Sequence, residues 1–154
     1  KALKFYHLVK EWPVHLALCA EGKAVTTVIV HRGEELVTIP ALPKELAKQQ
    51  LTALLRCYAV GMQAPLPVAC ETAFAWLAGD KDDEKAEEAY EGGFNRDGEV
   101  GKSAVLGRCW PDFHALQKTG AFPGWAETLY EPLFMHMKSA VASAGANNNQ
   151  EQAA

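Results

Sequence analysis

Residues 61–77 read GMQAPLPVACETAFAWL. A helical pattern runs into Gly61, Pro65 and Pro67 frame Leu66, and a second apolar pattern resumes at Thr72. Each proline biases its predecessor toward extended backbone and removes a donor, so neither helix continues through the stretch. It reads as a stiff corner between two helices, the second running roughly from Glu71 to Ala78 and carrying Phe74 and Trp76.

Upstream of the corner, Leu51, Leu54, Leu55, Tyr58 and Met62 recur at helical spacing between Lys44 and Met62. Lys48, Gln49 and Arg56 fall elsewhere, which predicts a helix with this apolar stripe turned inward. Residues 25–31 (VTTVIVH) and Leu36-Val37-Thr38-Ile39 are β-branched runs separated by Arg32-Gly33-Glu34, the pattern of a β-hairpin. The opening stretch places Phe5, Leu8, Val9, Trp12, Leu16 and Cys19 on one helical stripe. Pro13 either kinks that helix or starts its second half, and Gly22 ends it.

Downstream, the acidic run Asp82–Tyr90 predicts a helix stopped by Gly92-Gly93. Residues 94–105 read as a loop with a short strand. Asp112 can cap a short helix carrying Phe113 and Leu116, ended by Gly120. A last helix from near Pro123 carries Trp125, Leu129, Leu133, Phe134 and Met137. The expectation is one α+β domain over 1–140, mostly helical with a small sheet, and a low-complexity tail over 141–154.

A chain of 154 residues, 49 % of them hydrophobic and 22 % charged, can bury a core without disulfides or a structural metal. It opens on Lys1 rather than Met, as a fragment of a longer protein would. Cys19, Cys57, Cys70 and Cys109 show no CxxC spacing and read as small core residues of a reducing, cytoplasmic compartment. No apolar run approaches the ~20 residues of a membrane helix. Residues 80–99 hold nine acids against three bases, a local charge of −6 within a net charge of −4. That excludes a strong phosphate-binding footprint in this segment.

The residues point to little chemistry. His7, His15, His31, His114 and His136 sit on different elements without HExxH or HxH spacing. No GxSxG elbow, Walker loop or GxGxxG is present, so hydrolase, ATP and NAD readings lack their parts. Metal-dependent phosphodiester cleavage needs converging carboxylates beside a Lys. In the PD-(D/E)xK arrangement those acids lie on adjacent strands, but VTTVIVH and LVTI carry none, and Glu99 to Lys102 is ExxK. The residues nominate no catalytic, cofactor-binding or metal site, and the acidic run reads as a solvated helix face.

Six blocks in order carry a resemblance: HLALCAEG ahead of the strand pair, CYAVGMQAPLPVACETAFAWL, KAEEAYEGG, NRDGE, RCWPDF and WAETLYEPLF. Together they resemble the C-terminal domain of RecC, the gamma chain of exodeoxyribonuclease V, over roughly residues 8–137. The resemblance implies a degenerate PD-(D/E)xK nuclease-like domain without catalytic residues. It implies a scaffold of the RecBCD helicase-nuclease, which processes double-strand DNA breaks, serving assembly with RecD and RecB and strand separation. ATP and Mg²⁺ would belong to the partner subunits, with no cofactor here, and DNA would bind weakly or only within the complex. Interface hot spots favour Trp, Tyr and Arg, so Trp76, Trp110, Trp125 and Tyr130 are candidate partner-docking residues, whichever of them is exposed. The alternative is a free-standing Mg²⁺-dependent nuclease of the same fold, its acidic site in the loop around Asp97 and Glu99.

Overall fold

The computed structural model describes residues 5–30 and 36–137. The hairpin bend at 32–34, His31 and the tail over 141–154 lie outside the described residues. The chain is mostly helical with small antiparallel sheets, an α+β protein. It gathers into two compact units, one from the chain up to Thr52 with the stretch from Pro132, the other Ala53–Glu131. Among the described residues no helix is long and apolar enough to cross a membrane.

In the first unit, helix α1 (Phe5–Ala20) runs unbroken through Pro13. It buries Leu8, Trp12, His15, Leu16 and Cys19, a stripe at three- and four-residue spacing. Gly22, at φ +85°, then turns the chain where a side chain would be strained. Strands β1 (Thr27–Val30) and β2 (Leu36–Ile39) pair antiparallel, Thr27 opposite Ile39 and Val30 opposite Leu36. Ile39 is buried while Val28 and Val30 are exposed, the alternation of a one-faced sheet.

Helix α2 (Lys44–Gly61) forms where the spacing predicts it, but its face differs from the expected one. Leu55, Tyr58 and Met62 are 59 %, 66 % and 69 % exposed, and the buried residues of the helix are Ala47 and Cys57. Periodicity marks an apolar stripe, yet it carries no information on what covers that stripe.

In the second unit, α3 (Cys70–Ala78) packs against α4 (Asp83–Glu91) and α8 (Phe122–Leu129). Residues 94–105 hold more structure than the sequence suggests. A two-residue-per-strand hairpin, β3 (Gly92–Gly93) with β4 (Arg96–Asp97), is followed by the short helices α5 (Glu99–Lys102) and α6 (Ala104–Cys109). These turns are too short to show a period. Helix α7 (Phe113–Gln117) starts as expected, with the Asp112 carboxylate accepting from Ala115 N at 2.7 Å. The single last helix is corrected to two segments: α8 stops at Leu129, Tyr130 forms a turn, and residues 131–137 are helical again. Pro132 has no N–H for the Thr128 carbonyl, so the ladder breaks there.

The first unit closes around a buried imidazole. His15 Nε2 donates to Pro40 O at 3.1 Å, and the Thr27 hydroxyl donates to Nδ1 at 2.9 Å. A carbonyl only accepts, so Nε2 carries a proton, and in the neutral ring Nδ1 is left to accept from the Thr27 hydroxyl. His136 Nε2 donates to the same Pro40 O at 2.8 Å, its ring 6.3 Å from that of His15, while Trp12 stacks on His15 and Cys19 Sγ lies 3.7 Å from Nε2. Burial pushes His15 below its ordinary 6.5, with the nearby His136 adding to the depression. The unfolded chain therefore binds a proton that the folded one does not, so this contribution is complete above about pH 6.5 and is lost as pH falls below it. Thermal unfolding followed from pH 7.5 to 5 should show the midpoint falling, by at most about 1.4 kcal/mol of stability per pH unit for one proton. His15→Gln should flatten that slope.

Candidate functional site

The corner at 61–69 is built for packing. Val68 N donates to Leu66 O at 2.8 Å, and the half-buried Leu66 side chain lies over Gly61, where an added Cβ would meet Cδ1 at 3.5 Å. Beyond the corner α3 begins at Cys70 behind Ala69, which has no side-chain acceptor to offer the helix N-terminus. The missing acceptor comes from elsewhere in the chain. Glu99 Oε2 accepts from Thr72 N at 2.8 Å and from Thr72 Oγ1 at 2.9 Å, and Thr72 is fully buried. An anionic acceptor on first-turn N–H groups is favoured twice, by hydrogen bonding and by the helix dipole.

Other acids of the run do similar work. Asp82 accepts from Glu84 N at 2.9 Å and caps α4, while Asp83 Oδ1 accepts from the buried Trp76 indole at 3.0 Å. Glu91 Oε1 accepts from Phe113 N at 2.9 Å, at the start of α7. Between them, the fully buried Tyr90 donates its hydroxyl to Trp110 O at 2.6 Å. Burial pushes the Tyr90 phenol up to about 12, with the negative Glu99 adding to the shift. Asp82, Asp83 and Glu91 thus serve as caps and acceptors at the rim of a helix face that is otherwise open to solvent, as the sequence predicts.

Around the Glu99 cap lie the groups that a metal site would recruit. Lys102 Nζ pairs with Glu71 Oε2 at 3.4 Å. Burial, then Glu99 and Glu71, pushes the Cys70 thiol up to about 12, so it stays protonated and is no nucleophile at neutral pH. Tyr130 is raised too, by burial first and then by Cys70 and Glu99. Asp97 is exposed on β4. Among the described residues no group of three His, Cys, Asp or Glu side chains is arranged to hold a metal ion.

The four aromatic candidates do not form one patch. Trp76 is buried, its ring edge-on to Phe122 at 5.8 Å and beneath Lys81 Nζ at 5.5 Å. Tyr130 is half-buried against Phe74 at 5.4 Å. Phe122 continues to Phe113 at 5.7 Å and Phe113 to Tyr90 at 6.2 Å, so the rings around Trp76 are the core of this unit. Trp110 and Trp125 are half-buried, and among the described residues no ring contact joins any two of the four. The Thr72–Glu99 pair was absent from the sequence reading. The only signal for it was negative: Ala69 stands where a capping Ser, Thr, Asp or Asn belongs.

A family model described as the RecC C-terminal domain matches residues 1–81, more than half of the chain. The match takes in α1, α2, the corner and α3, and the later blocks of resemblance lie beyond it. No curated protein matches the chain.

Removing the Glu99 carboxylate leaves a buried N–H and a buried hydroxyl unsatisfied. Glu99→Ala should therefore cost about 1–3 kcal/mol for each of the two groups, read as a lower denaturant midpoint at unchanged m. Glu99→Gln, which keeps an oxygen acceptor, should cost clearly less.

Proposed function

This chain belongs to the RecC C-terminal domain family, with a RecBCD-related role in DNA repair and recombination, and from that premise we propose that it is a non-catalytic docking and scaffold domain. In this reading it is a degenerate PD-(D/E)xK nuclease-like domain that helps assemble RecD and RecB and supports strand separation, with ATP and Mg²⁺ used by the partner subunits. The observation that carries it is the use made of Glu99. Glu99, on which the nuclease alternative relies, accepts two hydrogen bonds from a buried helix N-terminus instead. A carboxylate oxygen engaged in this way would have to break both bonds to coordinate Mg²⁺.

Family membership makes the chain part of a multi-subunit assembly, and exposed apolar area is what assembly covers. Leu55 and Tyr58 on α2, and Met62 just beyond its end, supply such area. Of the candidate hot spots, Trp76 serves the core. Trp110, Trp125 and Tyr130 remain as docking residues, each with a face left to solvent. With nine acids in twenty residues, the second unit holds DNA only weakly by itself.

The competing reading, a free-standing Mg²⁺-dependent nuclease, has its acidic site around Asp97 and Glu99, with the Glu71–Lys102 pair as a further source of charge. One assay separates the two. The purified chain incubated with linear duplex and single-stranded DNA in Mg²⁺ or Mn²⁺ should leave both intact. Cleavage abolished by Glu71→Gln or Glu99→Gln would overturn the scaffold reading. Within the full-length protein, joint Trp110→Ala and Trp125→Ala substitution should reduce RecD recovery about tenfold while RecB stays bound.

A further inference from the structure

Phe94 is 103 % exposed, more open than any other large hydrophobic side chain among the described residues. A lone exposed apolar residue needs no explanation in general. This one differs in how it is held.

It stands at the tip of the β3–β4 hairpin, in which Gly92 pairs with Asp97 and Gly93 with Arg96, leaving Phe94 and Asn95 as the two-residue loop. The base of that hairpin is locked to the end of α4 by backbone-to-backbone contact. An added Cβ on Gly92 would lie 2.2 Å from Arg96 O, and one on Gly98 would lie 2.1 Å from Tyr90 O. Gly92 also has φ +87°, open to glycine and strained for other residues. On either side the chain is pinned again, by the Tyr90 hydroxyl on Trp110 O and by the Glu99 carboxylate on Thr72. A two-residue turn has no need of a large aromatic at its tip; Asn, Asp and Gly fill such positions. The result is an apolar knob on a rigid mount, which binds without the ordering cost of a floppy loop.

Charge selects the partner. The stretch 80–99 nets −6, and two of its three bases are already paired: Arg96 with Glu88 at 3.7 Å, and Lys81 with Glu127 at 2.5 Å and Glu131 at 3.2 Å. Asp97 is exposed beside the tip. A phosphate backbone approaching Phe94 would meet this excess of carboxylates, whereas a protein pocket rimmed by Lys and Arg would complement it.

We propose that the Phe94 hairpin is a docking knob that inserts its ring into an apolar pocket, rimmed by basic side chains, on another subunit of the complex. This rests on the scaffold reading above and adds to it a site that none of the four aromatic candidates provides.

The test uses the whole chain and purified RecB and RecD. With p-benzoylphenylalanine at position 94, irradiation should crosslink the chain to one of the two. Phe94→Ala should weaken binding of that same subunit about tenfold, with an unchanged thermal midpoint because the ring makes no packing contact, while Phe94→Trp should retain binding. Asp97→Lys should slow association and reduce its salt dependence. If the wild-type chain binds a subunit and Phe94→Ala binds it equally well, the knob is refuted and the scaffold reading stands. If the wild-type chain binds neither subunit, the scaffold reading falls and the knob falls with it. If Phe94→Ala instead loses affinity for a single-stranded oligonucleotide, the ring is a base-stacking element and the proposal is overturned.

Discussion

The second unit turns on one carboxylate. Helix α3 starts after Ala69 with no cap of its own, and Glu99, 27 residues downstream of Thr72, supplies it. Hydrogen bonds to a charged acceptor contribute about 1.5–3 kcal/mol each, and more is at stake when the donors are buried. That tie fixes the start of α3 and hence the position of Phe74 and Trp76, which lie two and four residues further along it. Phe74 then meets Tyr130, and Trp76 meets Phe122, so α8 is set by the same helix. In the other direction the tie holds the end of the 92–99 excursion. The same Glu99 oxygen thus organises both ends of the tie through its two hydrogen bonds.

A second constraint sits at the other end of α3. Asp80 and Lys81 both adopt positive φ, 57° and 68°, in a region that side chains disfavour by roughly 1–2 kcal/mol per residue. The cost is offset locally. Lys81 N donates to Trp76 O at 2.8 Å, and its ammonium reaches Glu127 and Glu131 while lying over the Trp76 ring. The left-handed pair therefore directs Lys81 back across α3 to the far end of α8. Those two hydrogen bonds hold the Lys81 ammonium in its charged form. A helix closed by a remote acid at its start and a returning base at its end is well determined at both ends, which suits a rigid platform.

What could be read from the sequence follows from which effects are local. The helix stripe of α1, the cap Asp112, the stop at Gly92 and the antiparallel pairing of the two β-branched runs depend on residues a few positions apart, and they are legible. The corner was legible for the same reason, since Pro65 and Pro67 act on their own neighbours. Effects across tens of residues were not. Glu99 looked like half of an incomplete ExxK motif and is a helix cap; Glu91 and Asp83 looked like parts of a solvated face and accept from Phe113 N and the Trp76 indole. The α2 stripe shows the converse error: Leu55, Tyr58 and Met62 have the spacing of a core face and are exposed. Helical period reports that a face is apolar; whether the same chain or another one covers it is a tertiary fact.

That distinction bears on the whole molecule. Glu99, Glu91 and Asp83 are engaged in holding helix starts and a buried indole, and Phe74, Trp76, Tyr90, Phe113 and Phe122 fill the core of the second unit. Two of the apolar features left to solvent among the described residues are a stripe on α2 and a ring at the tip of a braced hairpin. They differ in kind. The stripe is broad and carries Arg56 as its nearest charge, so it suits apolar packing over area. The ring is small and fully exposed at a braced turn, with Asp97 exposed on the following strand, so it offers a defined position and little area.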